Sequence, residues 1–306
     1  MQLREQVPLA PLTTFEIGGP AQYFAEAAAP QDVREAVLFA REHNLRLTIL
    51  SGGSNVVIPD SGIQGFVLRI VEGSHLFSDN VLTADAGCNL LSLIRAAAAE
   101  RYGGWERLAG IPGSIGGAVR GNAGAFGSEI KDFVTVVRAL HSETLESTSF
   151  VNPYMTFGYR ESSFKREPKW IITSVTVELT HTKREESERL IKETLAERER
   201  RHLQNVRAAG SFFMNPIAPR EVVALFEQEK SVKAREGRVP AGWLIEKAGM
   251  KGATVGGAIA SEQHPNYLVN QGGATAHDVL NLAQMIKLEV FNKFGVELQE
   301  EAAIFQ

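Results

Sequence analysis

A single cysteine, Cys88, excludes an internal disulfide and every multi-cysteine metal site. The seven histidines are scattered, with no pair at the i, i+4 spacing of a helical metal site, so no metal is expected. Positive charge is not in excess either. Thirty-two Lys and Arg against 36 Asp and Glu leave a net charge of −4, without the basic face that a nucleic-acid partner requires. No apolar run approaches the ~20 residues of a membrane-spanning helix. The opening stretch MQLREQVPLAPLTTFEIGG lacks the apolar centre of a secretory signal, so neither a membrane nor export is expected. Two nucleotide fingerprints are missing as well: there is no G-x-G-x-x-G and no G-x-x-x-x-G-K-[ST]. What remains is a cytoplasmic enzyme or binding protein, whose 306 residues fill two or three lobes.

The elements read as mixed α and β. QDVREAVLFARE carries Val33, Ala36, Val37 and Ala40 on one helical face and leads to a short strand, LRLTILS, that ends in Gly-Gly. FVLRI, VLTADAG, VTVVRAL and KWIITSVTVEL read as further strands. In the last of these Ile171, Thr173, Val175, Val177 and Leu179 share a face at period two. NLLSLIRAAAAERYG is a helix with Asn89 as N-cap and Gly103 as its stop. REESERLIKETLAERERRHL is a solvated, charged helix, after which the composition changes sharply. PREVVALFEQE is a helix, and so is TAHDVLNLAQMIKLEVFNKFG, with Thr275 as N-cap and Val279, Leu282, Ala283, Ile286 and Val290 buried. The segments are 1–75 and 76–205, then 206–297, then a β-like tail at 298–306 that must pair back into an earlier lobe.

Several stretches carry chemistry. SGGSN at 51–55 and the loop GIPGSIGGAVRGNAGAFG at 110–127, with seven glycines in eighteen residues, are rich in bare backbone. Such loops gather N–H groups around an anion, or they are sets of tight turns. Ile111, Ile115, Val119 and Phe126 are packing anchors within the second. In FGYRESSFK, Arg160 is either a fork-shaped donor for a carboxylate or half of a surface ion pair. In RAAGSFFMNP, Gly210 permits a close backbone approach or φ > 0, Phe212 and Phe213 build a dry wall, and Ser211 is a turn residue or a reactive hydroxyl. In ELQEEAAIF a strand would put Glu297 and Glu301 on one face and Glu300 on the other. For His264 in EQHPNYLVN a structural hydrogen bond is favoured.

Taken in order, TTFEIGGPA, LSGGSNVVI, the long glycine loop, GYRESSFK, AGSFFMNP, AGWLIEKAGMKG, GGAIASEQHPNYLVN and a terminal L-x-x-E resemble the UDP-N-acetylenolpyruvoylglucosamine reductase (MurB) family, over residues 13–301. The resemblance implies an α+β or α/β architecture: an FAD-binding fold of the vanillyl-alcohol-oxidase (PCMH) type in two lobes plus a C-terminal α/β substrate domain. It implies FAD, NADPH as hydride donor, a small-molecule UDP-sugar substrate and a monomer or weak homodimer. With no helpful neighbour for Cys88, the flavin is expected to be held without a covalent bond. The family usually shows Gln-Pro and Ser-Ala-Gly before the serine, a Lys or Arg at the position of Met214, and Glu-Val-Arg at the tail. Here the charged helix leads almost directly to the serine motif, as in the shorter subtype without a tyrosine loop insertion.

By this resemblance FAD is held by Ser51, Gly52, Gly53, Ser54 and Asn55 and by Gly110, Ile111, Pro112, Gly113, Ser114, Gly116, Gly117, Ala118, Gly121, Asn122 and Gly124. Tyr159 and Asn215 contact the UDP-sugar. Arg160 meets the substrate carboxylate, Glu301 donates to it, and Ser211 is the proton donor. A flavin oxidase of the same fold would share the glycine loops but has no need of this trio. A catalytically dead flavin or UDP-sugar sensor would have lost it.

Overall fold

Apolar residues spaced by a helical turn dictate the first helix. In the computed structural model, which describes residues 1–201 and 206–305, Pro30–Glu42 is α-helical and buries Val33, Ala36, Val37 and Ala40, the expected stripe. Pro30 starts it, where a missing N–H costs nothing. Asn89 caps the helix Leu90–Ala99 by accepting from the Ser92 amide at 3.0 Å. This helix stops before Gly103: Glu100 closes it, Arg101 takes φ 66°, and Gly103 lies in the two-residue strand Tyr102–Gly103. A Cβ on Gly103 would overlap the Glu106 carboxylate, so this glycine makes room for a buried acid and does not end a helix.

The chain forms two compact units. The first comprises Met1–Val7, Ala21–Gly53 and Gln64–Arg200; the second comprises Pro8–Pro20, Ser54–Ile63 and the described residues from Arg201 on. Two short excursions from the first 75 residues therefore belong with the C-terminal part, which a division into 1–75, 76–205, 206–297 and 298–306 leaves out. The reason is hydrophobic: Phe15, Ile17 and Val57 are buried in the C-terminal cluster with Phe212, Leu244 and Ile286. The boundary drawn at 205 falls outside the described residues.

The first unit holds two larger sheets beside two two-stranded ones. One runs Arg4–Pro8, Pro20–Ala27, Ile63–Ile70, Leu47–Leu50, its last pair parallel. The other is antiparallel and runs Ser147–Val151, Val134–His141, Trp170–Glu178, Val81–Asp85, His75–Ser78. Ile171, Val175, Val177 and Leu179 are buried as the alternation predicts, but Ile172 is buried too and Thr173 only half. A register shift in the pairing, between Arg138 and Ala139, slips the phase. The helix Arg184–Arg200 is largely solvated, burying only Ser187, Ile191, Thr194 and Arg198.

The second unit packs helices Arg220–Lys230, Ala241–Lys247 and Ala276–Phe294 with a three-stranded antiparallel sheet. Val279, Leu282, Ala283, Ile286 and Val290 are the buried face of the long helix, as expected. At its start the Thr275 hydroxyl and the Asp278 carboxylate each accept the other's amide at 3.0 Å. From the excursion, Asp60 accepts the amides of Ala276 and His277 at 2.8 and 3.1 Å. The tail returns as expected: Ala303–Ile304 pairs in parallel with Val56–Val57. Among the described residues no helix is long and apolar enough to cross a membrane.

The amide and hydroxyl of Thr275 hold the Asp278 carboxyl below its usual pKa. A depressed folded pKa adds stability above the unfolded value of about 3.9, and that stability is lost as pH falls through the lower folded value. The urea midpoint is therefore expected to drop on acidification below about pH 4, and Asp278→Asn should flatten that limb. Asp60→Ala should cost about 0.5–2 kcal/mol at neutral pH, the usual worth of a lost cap. An unaltered acid limb and an unaltered midpoint would remove both carboxylates from the account of this helix.

Candidate active site

Bare backbone forms the first half of the site. Residues 51–53 leave the strand Leu47–Leu50, and residues 110–114 lead into a six-residue helix, Ile115–Arg120. The long glycine segment is therefore not all loop. Ser114 caps that helix, its Oγ accepting from the Gly117 amide at 3.2 Å, while Ile115 and Val119 anchor it in the core. Gly116 is required by packing, since a Cβ there would stand 2.7 Å from Ala86 Cβ. The two glycine turns touch: a Cβ on Gly52 would stand 2.7 Å from Gly113 Cα. Beside them the hydroxyls of Ser51 and Ser114 are 2.8 Å apart. Among the described residues the amides of Gly52, Gly53 and Gly113 donate to no protein acceptor. Uncommitted donors with no side chain in front of them fit the diphosphate of a dinucleotide such as FAD.

The expected cofactor residues divide by exposure. Gly52, Pro112 and Gly117 are exposed, and Ser51, Ile111, Gly113, Gly121 and Gly124 are half-buried. Gly53, Gly110, Ser114, Gly116 and Ala118 are buried and shape the cradle from behind. Asn122 is fully buried, and its side chain is spent inside the protein, so it reaches no ligand. Its amide donates to the Gly158 carbonyl at 2.7 Å and its oxygen accepts from the Lys131 amide at 3.3 Å. Ser54 and Asn55 belong to the second unit, where Asn55 donates to the Glu301 carbonyl at 3.2 Å and accepts from the Ala303 amide at 2.9 Å.

Asn122 thereby holds the turn that carries Arg160. Gly158 and Glu161 pair across this turn, and Arg160 between them takes φ 57°, a left-handed conformation that costs a non-glycine residue energy. Its Nη2 donates to the Gly124 carbonyl at 2.8 Å, its carbonyl accepts from Lys165 Nζ at 3.0 Å, and its guanidinium lies 5.2 Å from the Tyr159 ring centre. The glycine segment and the arginine are one construction.

In the second unit Gly210 takes φ 73°, and a Cβ there would meet nothing within 4 Å. Of the two uses expected of it, the glycine serves the turn and not the close approach. Phe212 and Phe213 are core residues, their rings 5.1 Å apart and edge-on beneath a half-buried Ser211. Asn266, 2 % exposed, clamps them: its oxygen accepts the Phe213 amide at 3.0 Å, its amide donates to the Phe213 carbonyl at 2.8 Å, and its own carbonyl takes the Phe212 amide at 2.7 Å. The tail bonds along the other edge. Phe213 bridges Glu300, the Met214 amide donates to Gln299, and the Phe212 carbonyl accepts the Glu301 amide at 2.8 Å. Ser211 and Glu301 are thus brought onto adjoining backbone.

The Ala302 amide also approaches the Phe212 carbonyl, at 3.4 Å, so two tail residues oppose one. The doubled contact falls at Glu301 and Ala302; the stretch from Glu297 to Glu301 forms no strand of its own, only the isolated bridge at Glu300. Glu297 is exposed, Glu301 is half-buried, and Glu300 pairs with Lys287 Nζ at 2.9 Å. Asn215 spends its side-chain oxygen on the Ala241 amide at 3.0 Å, at the start of a helix. His264 donates its backbone amide to Ser261 Oγ at 3.2 Å and sets its ring edge-on to Tyr267. Cys88 is buried against the Ser74 carbonyl, and burial pushes its thiol pKa up, which disfavours the thiolate that a covalent flavin link needs. Sequence reasoning missed Asn122 and Asn266 as organisers; each stood in a quoted motif, but nothing in the string tells a buried clamp from a ligand contact.

A chain with a glycine-lined flavin cradle on one unit, and a hydroxyl and a carboxylate on adjoining backbone of another, is built as an FAD-dependent oxidoreductase. The FAD binding domain family matches residues 21–143, and the UDP-N-acetylenolpyruvoylglucosamine reductase C-terminal domain matches residues 201–305. The chain is 37% identical to the UDP-N-acetylenolpyruvoylglucosamine reductase of Heliobacterium modesticaldum over 99% of its length and 90% of that protein's. To the enzyme of that name from Solibacter usitatus it is 35% identical, over 96% and 94%. The crystal structure of the Thermus caldophilus reductase superposes over 100% of both chains with a TM-score of 0.79 at 30% identity. The chain belongs to the UDP-N-acetylenolpyruvoylglucosamine reductase family. Its first unit has the FAD-binding fold of the vanillyl-alcohol-oxidase type, and FAD is its cofactor.

Gly52→Ala places a methyl group against Gly113 backbone, which has no flexible end to yield. Purified Gly52→Ala protein is expected to lose most of its flavin on gel filtration while keeping its far-ultraviolet circular dichroism. Stoichiometric, firmly held FAD in the variant would show that the contact of the two turns does not form the cradle.

Proposed function

We propose that this protein reduces the enolpyruvyl ether of UDP-N-acetylglucosamine to UDP-N-acetylmuramate in peptidoglycan precursor synthesis, with NADPH as the source of hydride. The observation that supports the reading is the bond from the Glu301 amide to the Phe212 carbonyl, which sets Glu301 on backbone adjoining the serine motif. Bound FAD, once reduced, supplies hydride chemistry at C3 of the enolpyruvyl group. The protein's task is the charge and the proton. Addition at C3 moves an electron pair onto C2 and the adjoining carboxylate, and that charge needs groups positioned before it develops. Arg160, its guanidinium oriented by Gly124 and Tyr159, meets the carboxylate as a fork. Glu301, in its protonated form, donates to the other oxygen.

Ser211 then delivers its proton to C2: the O–H bond breaks, a C–H bond forms, and the alkoxide recovers a proton from solvent. A hydroxyl is a weak acid in water, but a strongly basic carbanion makes the transfer downhill. Phe212 and Phe213 keep the floor of this region dry. Tyr159 and Asn215 contact the UDP-sugar. A UDP-sugar and a reduced nicotinamide nucleotide are soluble metabolites, so the enzyme works in the cytoplasm, as a monomer or weak homodimer.

In anaerobic stopped flow, Ser211→Ala should bleach with NADPH at the wild-type rate. Its reoxidation by the enolpyruvyl sugar should fall by roughly 10²–10⁴-fold, the usual worth of a positioned acid. Equal losses in both half-reactions would make Ser211 a support for fold or flavin. The tail gives a second check. Glu301→Gln should lose most turnover, because an amide cannot exchange a proton in the same way. Glu300→Gln gives up only a partly exposed ion pair with Lys287, worth about 0–1 kcal/mol, and should stay near wild-type activity. An essential Glu300 beside a dispensable Glu301 would reverse the assignment.

A further inference from the structure

Arg198 has no role in the chemistry above, yet its setting is expensive. It lies on the buried stripe of the helix Arg184–Arg200 and is 8 % exposed. Among the described residues it and Glu106 are the charged side chains in the buried class. Glu106 is satisfied by Ser187 Oγ and by the Gly104 amide. Arg198 is not: its Nε is sealed from solvent without an acceptor, and among the described residues its guanidinium has no carboxylate partner. A buried cation without a counter-charge is strongly unfavourable. Its two terminal nitrogens are not among the sealed atoms, so the little exposure the residue keeps leaves the end of the fork as the part a ligand would reach.

Its address is specific. The side chain crosses Gly110, where an added Cβ would overlap Arg198 Cδ and stand 2.6 Å from Nε and 3.1 Å from Cγ. Gly110 opens the turn whose Gly113 meets Gly52. The missing side chain at 110 is what lets the arginine lie against the cradle. We infer that Arg198 is a binding residue for an anionic part of FAD, an inference that rests on the reading of the two glycine turns as the FAD cradle. FAD is anionic at its diphosphate always and at its isoalloxazine ring once reduced, and a guanidinium serves either. The ligand supplies the counter-charge that the protein withholds.

The test uses the full-length holoenzyme with Arg198→Met and Arg198→Lys. A lost charge-assisted contact predicts FAD binding roughly 10- to 100-fold weaker in Arg198→Met, with most of the affinity kept in Arg198→Lys. Contact with the diphosphate predicts that binding of riboflavin, which lacks phosphate, is unchanged. Contact with the ring predicts instead that FAD affinity is nearly kept and the flavin midpoint potential falls. In either case the flavin-free Arg198→Met protein should melt no lower than flavin-free wild type, because an unpaired buried charge has been removed. Wild-type FAD affinity together with a wild-type potential in Arg198→Met overturns the inference. So does a flavin-free protein that melts well below wild type in both variants, which would make Arg198 a packing residue. Gly52→Ala separates the two readings. If it loses FAD while Arg198→Met keeps both the wild-type affinity and the wild-type potential, this inference alone fails; if Gly52→Ala keeps FAD as well, the cradle reading fails with it.

Discussion

The clamp that Asn266 places on Phe212 and Phe213 is the interaction on which the second unit's chemistry depends. Three hydrogen bonds from one buried residue hold the strand edge that follows Ser211. They leave the Phe212 carbonyl for the tail, which arrives to donate the Glu301 amide. Breaking a buried, fully paired amide costs more than the bonds are worth when made, because the partners are left dry and unpaired. The serine and the glutamate are distant in sequence, and this edge is what makes them neighbours.

The first unit applies the same economy to backbone. Glycines at 52 and 113 let two turns touch, and the amides left over are uncommitted donors of the kind an anion site uses. Asn122 and the Gly124 carbonyl extend that segment to the Arg160 turn, so the cation of the proposed reaction is fixed by the loop proposed to hold the cofactor. A left-handed Arg160 is tolerated because its carbonyl, its guanidinium and the flanking Gly158 are all bonded.

Helices with a single buried face were legible in the sequence, because their stripes follow one period and no tertiary contact overrode it. Pro30–Glu42 and Ala276–Phe294 bury the residues their spacing names. The motif order identified the family and hence the flavin fold, which no composition or periodicity would have revealed. Three things were hidden, each set by distant partners. The excursions at Pro8–Pro20 and Ser54–Ile63 join the C-terminal unit because Phe15, Ile17 and Val57 find their core there. The tail is tied down by its amides to the Phe212 carbonyl, far back in the chain, and not by a strand of its own over Glu297 to Glu301. Asn122 appeared as one more polar residue of a cofactor loop, and only its complete burial shows that it works inward.

The central claim is that flavin held by this chain passes its electrons to an enolpyruvyl ether and not to oxygen. The direct measurement is the visible flavin absorbance of wild-type protein kept free of oxygen. One equivalent of NADPH should bleach it, and one equivalent of UDP-N-acetylglucosamine enolpyruvyl ether should restore it within a turnover. If the colour returns only when air is admitted, the chain is an oxidase on a shared fold, and the reduction proposed for it does not take place.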